Sequence, residues 1–412
     1  MSDKDNNIAV TATERNPERS GSTPIGRRGV RAIFLRSLVQ IVRRPIMWAG
    51  FIGIPLFMFL FFTTFLDNGL PTRIPAGIVD KDGTSLSREI TQTLGGMQMV
   101  DLTMSPNSYT EARHAVQRGE IYGFFLIPEN FQANLMAGRK PEITFYTNAV
   151  YFVPASLLFK TFKSTAVYTK AGVAMNIVQM AGQNAEELAP LMQPVNITSR
   201  GIGNPTLNYG IYLCNSFLPA ALQLMIMLMT VFTLGQEIKY HTSTRLLRMA
   251  DGSIVKALFA KLLPQTLIWM ALVTFLTVWL YKFNHYPMNG SWWWLLLSEY
   301  MFVLASQGFA LFVFGLLPNL RLSLSVCALL GILSFSIAAF SFPEESMYPA
   351  VAIFSWLMPV RYNFLIYVSQ VLNGDPLYYS RVWYAAYIVY MILPFTTLRR
   401  MKKEMLKPVY VP

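Results

Sequence analysis

Long apolar runs alternate with short charged segments over most of this chain. A helix needs about 20 apolar residues to cross the hydrocarbon core of a bilayer. Six runs reach or approach that length: Ile46–Leu66, Gly210–Leu234, Leu263–Tyr281, Trp292–Leu317, Leu322–Phe342 and Val382–Leu398. A seventh, Pro349–Val371, is interrupted by Pro359 and Arg361. Its two pieces of about ten residues are too short to span. They predict a re-entrant or interfacial helical hairpin within 343–380. The polar segment before the first run is rich in Ser, Asn and Arg and lacks the early apolar core of a cleaved signal peptide. Residues 1–27 are therefore expected to form a retained, disordered tail.

Between the first two spans, residues 67–208 have a different texture, with eleven basic and eleven acidic residues and alternating strand and helix patterns. Strands are expected at Ile74–Asp80, Met97–Thr103, Ile121–Ile127 and Glu142–Tyr146. The turn residues Asp80-Lys81-Asp82-Gly83 close the first strand, and Ser85–Leu94 reads as a helix. Ser108 with Glu111 three residues later is a capping box, opening a helix that runs to Gly119. Such alternation predicts a small α/β layer, followed by a long helical pattern over about 155–180. The fold class is thus an α-helical polytopic membrane protein with six transmembrane helices and an inserted α/β domain.

Composition agrees. Of 412 residues 53% are hydrophobic and only 14% charged, against about 25% charged in soluble domains. Lys+Arg is 34 and Asp+Glu is 22, an excess of +12. Orientation follows from where the cations sit. Residues 1–45 hold nine, 235–262 hold five, 399–412 hold five, and Arg321 marks the loop between spans four and five. The segments 284–291 and 343–380 contain only Arg361. Both termini are expected in the cytoplasm, 67–208 outside it. The net charge is mostly this topogenic bias, and no nucleic-acid partner is needed to explain it.

Site chemistry is sparse. Cys214 and Cys327 sit in apolar runs and offer no redox framework; His114, His241 and His285 are far apart without metal-ligand spacing. No metal site and no catalytic constellation are expected. Asn196-Ile197-Thr198 matches a glycosylation acceptor, a motif short enough to recur by chance. Glu299 is the one acid or base well inside a span. It reads as a substrate or interface contact, as a proton site, or as a carboxyl hydrogen-bonded between helices. Trp292-Trp293-Trp294, Trp356, Tyr378, Tyr379 and Trp383 cluster at span ends and read as an interfacial belt. Met225, Met227 and Met229 read as packing, with a compliant substrate-facing or dimer-facing surface as the alternative. Residues 28–45 form an amphipathic pattern, with Val30, Ile33, Phe34, Leu38, Ile41 and Val42 at helical spacing and Arg31, Arg36, Arg43 and Arg44 on the other positions. Its basic side is expected to face anionic headgroups.

The segment 235–262 is a helical extension, a turn at Asp251-Gly252-Ser253, then the start of span three. Glu237, Thr242, Leu246-Leu247, Ser253 and Lys261-Leu262-Leu263-Pro264 resemble the corresponding stretch of type-2 ABC exporter permeases, of the branch with a large extracytoplasmic domain between the first two spans. That family usually has Gly-Thr where this chain has His241-Thr242. Ile127-Pro128-Glu129-Asn130-Phe131, Phe342-Pro343-Glu344-Glu345-Ser346-Met347 and Pro359-Val360-Arg361-Tyr362 agree in order and spacing, so the resemblance covers nearly all of 30–400.

The resemblance implies a coupling helix after span two, with Glu237, His241, Thr242, Leu246 and Leu247 contacting a separate ATP-binding subunit. It also implies an external hairpin that includes Pro343, Glu344, Pro359 and Arg361. The chain has no phosphate-binding Gly-x-x-x-x-Gly-Lys-[Ser/Thr] loop. ATP and Mg would bind the partner, and this chain would bind no cofactor and be no enzyme. Further implied partners are a second permease chain, identical or paralogous, and a periplasmic adaptor with an outer-membrane channel. The implied location is the bacterial inner membrane, and the implied activity is export of a hydrophobic or amphiphilic drug, lipid or lipopeptide. Two other readings stay open: a non-transporting sensor or scaffold acting through 67–208, and a proton-coupled transporter dependent on Glu299.

Overall fold

The computed structural model describes residues 29–67, 69–137, 139, 141–151, 153–164, 204, 208–340 and 342–408. The expected tail 1–27, the far part of the 155–180 helix and the Asn196 triplet lie outside them. The chain divides into two compact units, Met1–Thr63 with Tyr212–Pro412, and Thr64–Ile211.

Helix α1 (Val30–Arg43) stops because Pro45 disfavours helical geometry in the residue before it; Arg44 is extended at φ −109°, ψ 115°. Pro45 then opens α2 (Pro45–Phe65), where its missing N–H is harmless. A π-helical stretch, Ala49–Gly53, lies in its first half. In α1, Ile33, Ser37 and Ile41 are buried, while Leu35, Val39 and Val42 are exposed. Of the four arginines expected to face headgroups, Arg36 and Arg44 turn inward onto the protein instead.

The inserted unit follows as β1 (Ile74–Asp80), α3 (Ser85–Gly95), β2 (Val100–Met104), α4 (Tyr109–Arg118), β3 (Gly123–Ile127), α5 (Phe131–Met136), β4 (Thr144–Thr147) and a helix α6 over 153–164. Strand order is β2-β1-β3-β4, with β1 parallel to β2 and β3, and β4 antiparallel to β3. The two central strands are covered on both faces, which is why they read as continuous apolar runs. One face packs Ile74, Ile78 and Phe125 against Ile90 and Leu94 of α3; the other packs Val79 and Phe124 against Ala112 and Ala115 of α4. The expected turn is built by Asp80, whose Oδ1 accepts from the N–H groups of Asp82 (2.9 Å) and Gly83 (3.0 Å). Ser108 Oγ accepts from the Glu111 N–H at 3.2 Å, while Glu111 Oε2 reaches back to the Asn107 N–H. His114 is exposed on α4.

The chain then runs through α7 (Tyr209–Lys239), α8 (Ser243–Met249), α9 (Ile254–Phe283), α10 (Trp292–Leu316), α11 (Leu320–Ile337), α12 (Pro349–Ser355), α13 (Pro359–Leu372), α14 (Leu377–Ile392) and α15 (Leu398–Leu406). Five helices, α2, α7, α9, α10 and α11, are long and apolar enough to cross a membrane. The α12–α13 pair is bent by 78° at Trp356–Met358. Helix α14 has 16 residues, about 24 Å of α-helix. It begins five residues before the expected span and gives way at Leu393–Thr396 to a 3₁₀ turn containing Pro394, which adds about 8 Å. Pro394 explains the change, because it has no N–H for the α-helical ladder.

Helix α10 is the centre of this unit, packing against α9, α11, α13, α14 and α15. A Cβ on its Gly308 would stand 2.3 Å from the Tyr390 carbonyl oxygen. Only glycine allows α10 and α14 this close. Met225, Met227 and Met229 are buried in the core, as ordinary packing requires, and Cys214 and Cys327 are free and buried. Phe57, Phe275, Leu329, Ile332 and Val389 are exposed, which suits a hydrocarbon surrounding rather than water.

Candidate functional site

Span helix α7 runs one turn past its apolar stretch, and that turn carries Glu237. Glu237 is 2% exposed. Its carboxylate takes Arg36 Nη2 of α1 at 2.8 Å and Lys261 Nζ of α9 at 2.6 Å. The Thr242 hydroxyl donates to it as well. Lys261 also donates to Gln40 Oε1 at 2.9 Å. A single acid thus ties the amphipathic helix, span two and span three together. Taking charges out of water is expensive, so the group is held only by this full set of partners.

The chain reverses at Tyr240–Thr242. The Thr242 N–H returns to the Glu237 carbonyl at 2.9 Å, and His241 sits at φ +53°. That left-handed conformation is easy for glycine and strained for a β-carbon-bearing residue. Helix α8 follows, with Ser243 Oγ donating to the Met405 carbonyl of α15 at 2.7 Å. Ser253 Oγ accepts from the Lys256 N–H and caps α9. Leu246 and Leu247 are buried at 0% and 2% exposure, packed into the core. They and Glu237 fix the position of the corner and offer no surface to a partner. The side chains that α8 and its lead-in do expose are Lys239, Tyr240, His241, Arg245 and Arg248. Thr242 is half-buried, spent on Glu237.

The remaining sequence candidates form two separate clusters. At the bent pair, Arg361 of α13 pairs with Glu344 and lies 4.0 Å from the centre of the Trp356 ring. Trp356 Nε1 donates to Glu344 Oε1 at 2.6 Å. Trp356 therefore belongs to this clamp as well as to the aromatic set at span ends. Pro359 opens α13, and the next N–H, on Val360, donates to Gln223 Oε1 of α7 at 2.7 Å. Gln223 Nε2 in turn donates to Ser334 Oγ. Pro343 is exposed and precedes the 3₁₀ turn Glu344–Ser346. Glu299, two turns into α10, accepts from Asn363 Nδ2 at 3.0 Å. It borders a cavity of about 50 Å³ that Asn215, Tyr281, Thr277 and Tyr367 also line. Tyr281 donates to Asn215 Oδ1 at 2.8 Å.

Sequence reasoning named Glu237 but missed its pairing with Arg36 and Lys261, and missed Gln40 beside Lys261 as well as Gln223 and Asn363. The available signal was polarity inside apolar runs: Gln223 and Gln265 interrupt spans two and three, as Asn363 interrupts the bent pair. Among the described residues no group of three His, Cys, Asp or Glu could hold a metal ion.

The fold and its corner define a polytopic helical membrane protein with a small α/β unit inserted behind its first span. Residues 45–398 match the family described as ABC-2 family transporter protein, and the chain belongs to that family. It is similar to proteins described as probable multidrug ABC transporter permease YbhS in Escherichia coli strain K12 and in Escherichia coli O157:H7. Each is 23% identical over 350 residues, covering 84% of this chain and 89% of the relative. The chain is accordingly a membrane subunit of an ABC transporter, and its family implies a partner subunit that binds ATP.

Proposed function

We propose that this chain is the permease of an ATP-driven exporter moving a hydrophobic or amphiphilic substrate out of the cytoplasm or the inner leaflet. ATP and Mg bind the partner subunit, and two permease chains pair around the pathway. The observation that carries this reading is the Glu237 clamp. A force applied to α8 reaches α1, span two and span three through one buried carboxylate. Such a corner converts closure of a partner into movement of spans. Helix α8 contacts that partner through His241, Arg245 and Arg248, which are exposed, rather than through the buried Leu246 and Leu247. The relatives' description as probable multidrug permeases supports a drug-like cargo.

The test is co-purification from the native membrane in mild detergent, with an ATP hydrolysis assay. The wild-type chain is expected to bring an ATPase with it. Arg245→Glu with Arg248→Glu is expected to lose that ATPase while the chain still inserts and folds. A chain that purifies without any ATPase, or a double variant that retains it, refutes the assignment of this surface.

A further inference from the structure

Where α1, α7 and α9 meet, a cavity of about 50 Å³ is lined by Gln40, Arg44, Gln236, Lys261 and Gln265 beside Glu237. That is room for roughly three water-sized groups. Its hydrogen-bonding groups are out of balance. Both Glu237 oxygens are taken, by Lys261, Arg36 and Thr242. Gln265 is 1% exposed, and its Oε1 accepts from Thr233 Oγ1. Its Nε2 has no acceptor among the described residues. Lys261 commits two of its three donors, to Gln40 and Glu237. Arg44 reaches Gln236 with one nitrogen and lies 5.6 Å over the Tyr240 ring, so that among the described residues most of its five donors remain for a ligand. Two cations, Arg44 and Lys261, line the cavity beside one carboxylate, and that carboxylate is already paired with Lys261 and with Arg36. Buried donors without acceptors are disfavoured. The group that completes this site is small, anionic and rich in acceptor oxygens.

We propose that the cavity binds the phosphate of an anionic lipid headgroup. The second observation is the far face of α1. Leu35, Val39 and Val42 of α1 are exposed at spacings of four and three, and Ile46 and Trp48 at the start of α2 are exposed just beyond them. A helix presenting such a stripe away from its own protein rests at the boundary of headgroups and acyl chains. Headgroups are then brought to the level of Arg44. Basic pockets between spans near the membrane surface take phosphate in this way. A free phosphate offers the same chemistry, so the test separates the two sources. This site requires neither an ATPase partner nor a direction of transport.

The full chain is purified in uncharged detergent, stripped of lipid, and its thermal unfolding midpoint is followed. The probes are short-chain phosphatidylglycerol, short-chain phosphatidylcholine and inorganic phosphate. A ligand of the native state raises the midpoint with its concentration. Phosphatidylglycerol is expected to raise it, and phosphatidylcholine to raise it much less. Gln265→Leu and Arg44→Gln are each expected to weaken the apparent affinity at least tenfold. Arg399→Gln, which removes an exposed charge on α15, is expected to leave it unchanged. If Gln265→Leu fails to fold, Arg44→Gln carries the test. No shift with phosphatidylglycerol, or a shift that survives both cavity variants, overturns the site. An equal shift with inorganic phosphate overturns the lipid and assigns a soluble anion.

Discussion

Replacing Glu237 by alanine strands two cations at once. Lys261 is about 5% exposed and Arg36 about 15%. Breaking a buried pair by removing one partner costs about 3–5 kcal/mol, because the surviving charge stays buried. The low end applies here: Arg36 has some access to water, and Lys261 keeps Gln40 at 2.9 Å. About 3 kcal/mol is roughly a hundredfold in an equilibrium constant. The loss is local, so the assay reads local opening: hydrogen exchange of α1 and α8 amides, alongside reversible unfolding in detergent. Glu237→Ala should raise exchange in both helices about a hundredfold while the inserted α/β unit is unaffected. Lys261→Met alone should cost less, since Glu237 keeps Arg36 and Thr242. Combined with Glu237→Ala it should recover part of the loss, a coupling of about 1–3 kcal/mol as expected for contacting charges. Glu237→Ala within about 0.5 kcal/mol of wild type, the range of ordinary surface substitutions, or strict additivity with Lys261→Met, would refute the clamp.

Other positions give independent checks. His241→Gly should raise stability by about 1 kcal/mol in reversible unfolding, since it relieves the left-handed backbone at φ +53°. Gly308→Val should destabilise the chain by at least about 1–3 kcal/mol, because its Cβ meets the Tyr390 carbonyl rather than a movable side chain; unchanged detergent stability would contradict the α10–α14 approach. Gln223→Leu removes the acceptor of the Val360 N–H and the donor to Ser334, and should cost about 1–3 kcal/mol, read as faster exchange at the start of α13. Glu299→Gln should keep the fold, because an amide oxygen still accepts from Asn363, whereas Asn363→Leu should lower stability by about 1–3 kcal/mol; the reverse order would remove this pair as the reason for their position.

Most of the fold was legible because its periodicities are strong. Apolar runs placed the long span helices, and both turn chemistry at Asp80 and the capping box at Ser108 appear in the inserted unit as read. Strand starts slipped by two or three residues, at Val100, Gly123 and Thr144, because Met97, Met99, Ile121 and Ile143 just before them are also apolar. The end of the chain was harder. Val382–Leu398 looked like one apolar run, but an α-helix starting at Leu377 ends at Ile392, where Pro394 enforces a tighter turn. Pro394 marked this run's end in the sequence as the place where the helix would change.

The functional corner shows a different limit. The family resemblance singled out the segment after span two, and Glu237 within it, but sequence cannot say which side of a short helix is buried. Leu246 and Leu247 were expected at the partner only because the family resemblance implied it, and both are buried on this seven-residue helix. The core is supplied from distant positions, by α1 and α15 packing on α8. Likewise Arg36 looked like a headgroup contact until Glu237, 201 positions away, was found beside it. The basic residues of α1 therefore divide by direction: Arg31 and Arg43 are exposed, while Arg36 and Arg44 close the corner against α7. A helix that reads as a simple amphipathic anchor is, by this division, also one wall of the corner. The same carboxylate therefore joins α1, span two and span three at one point.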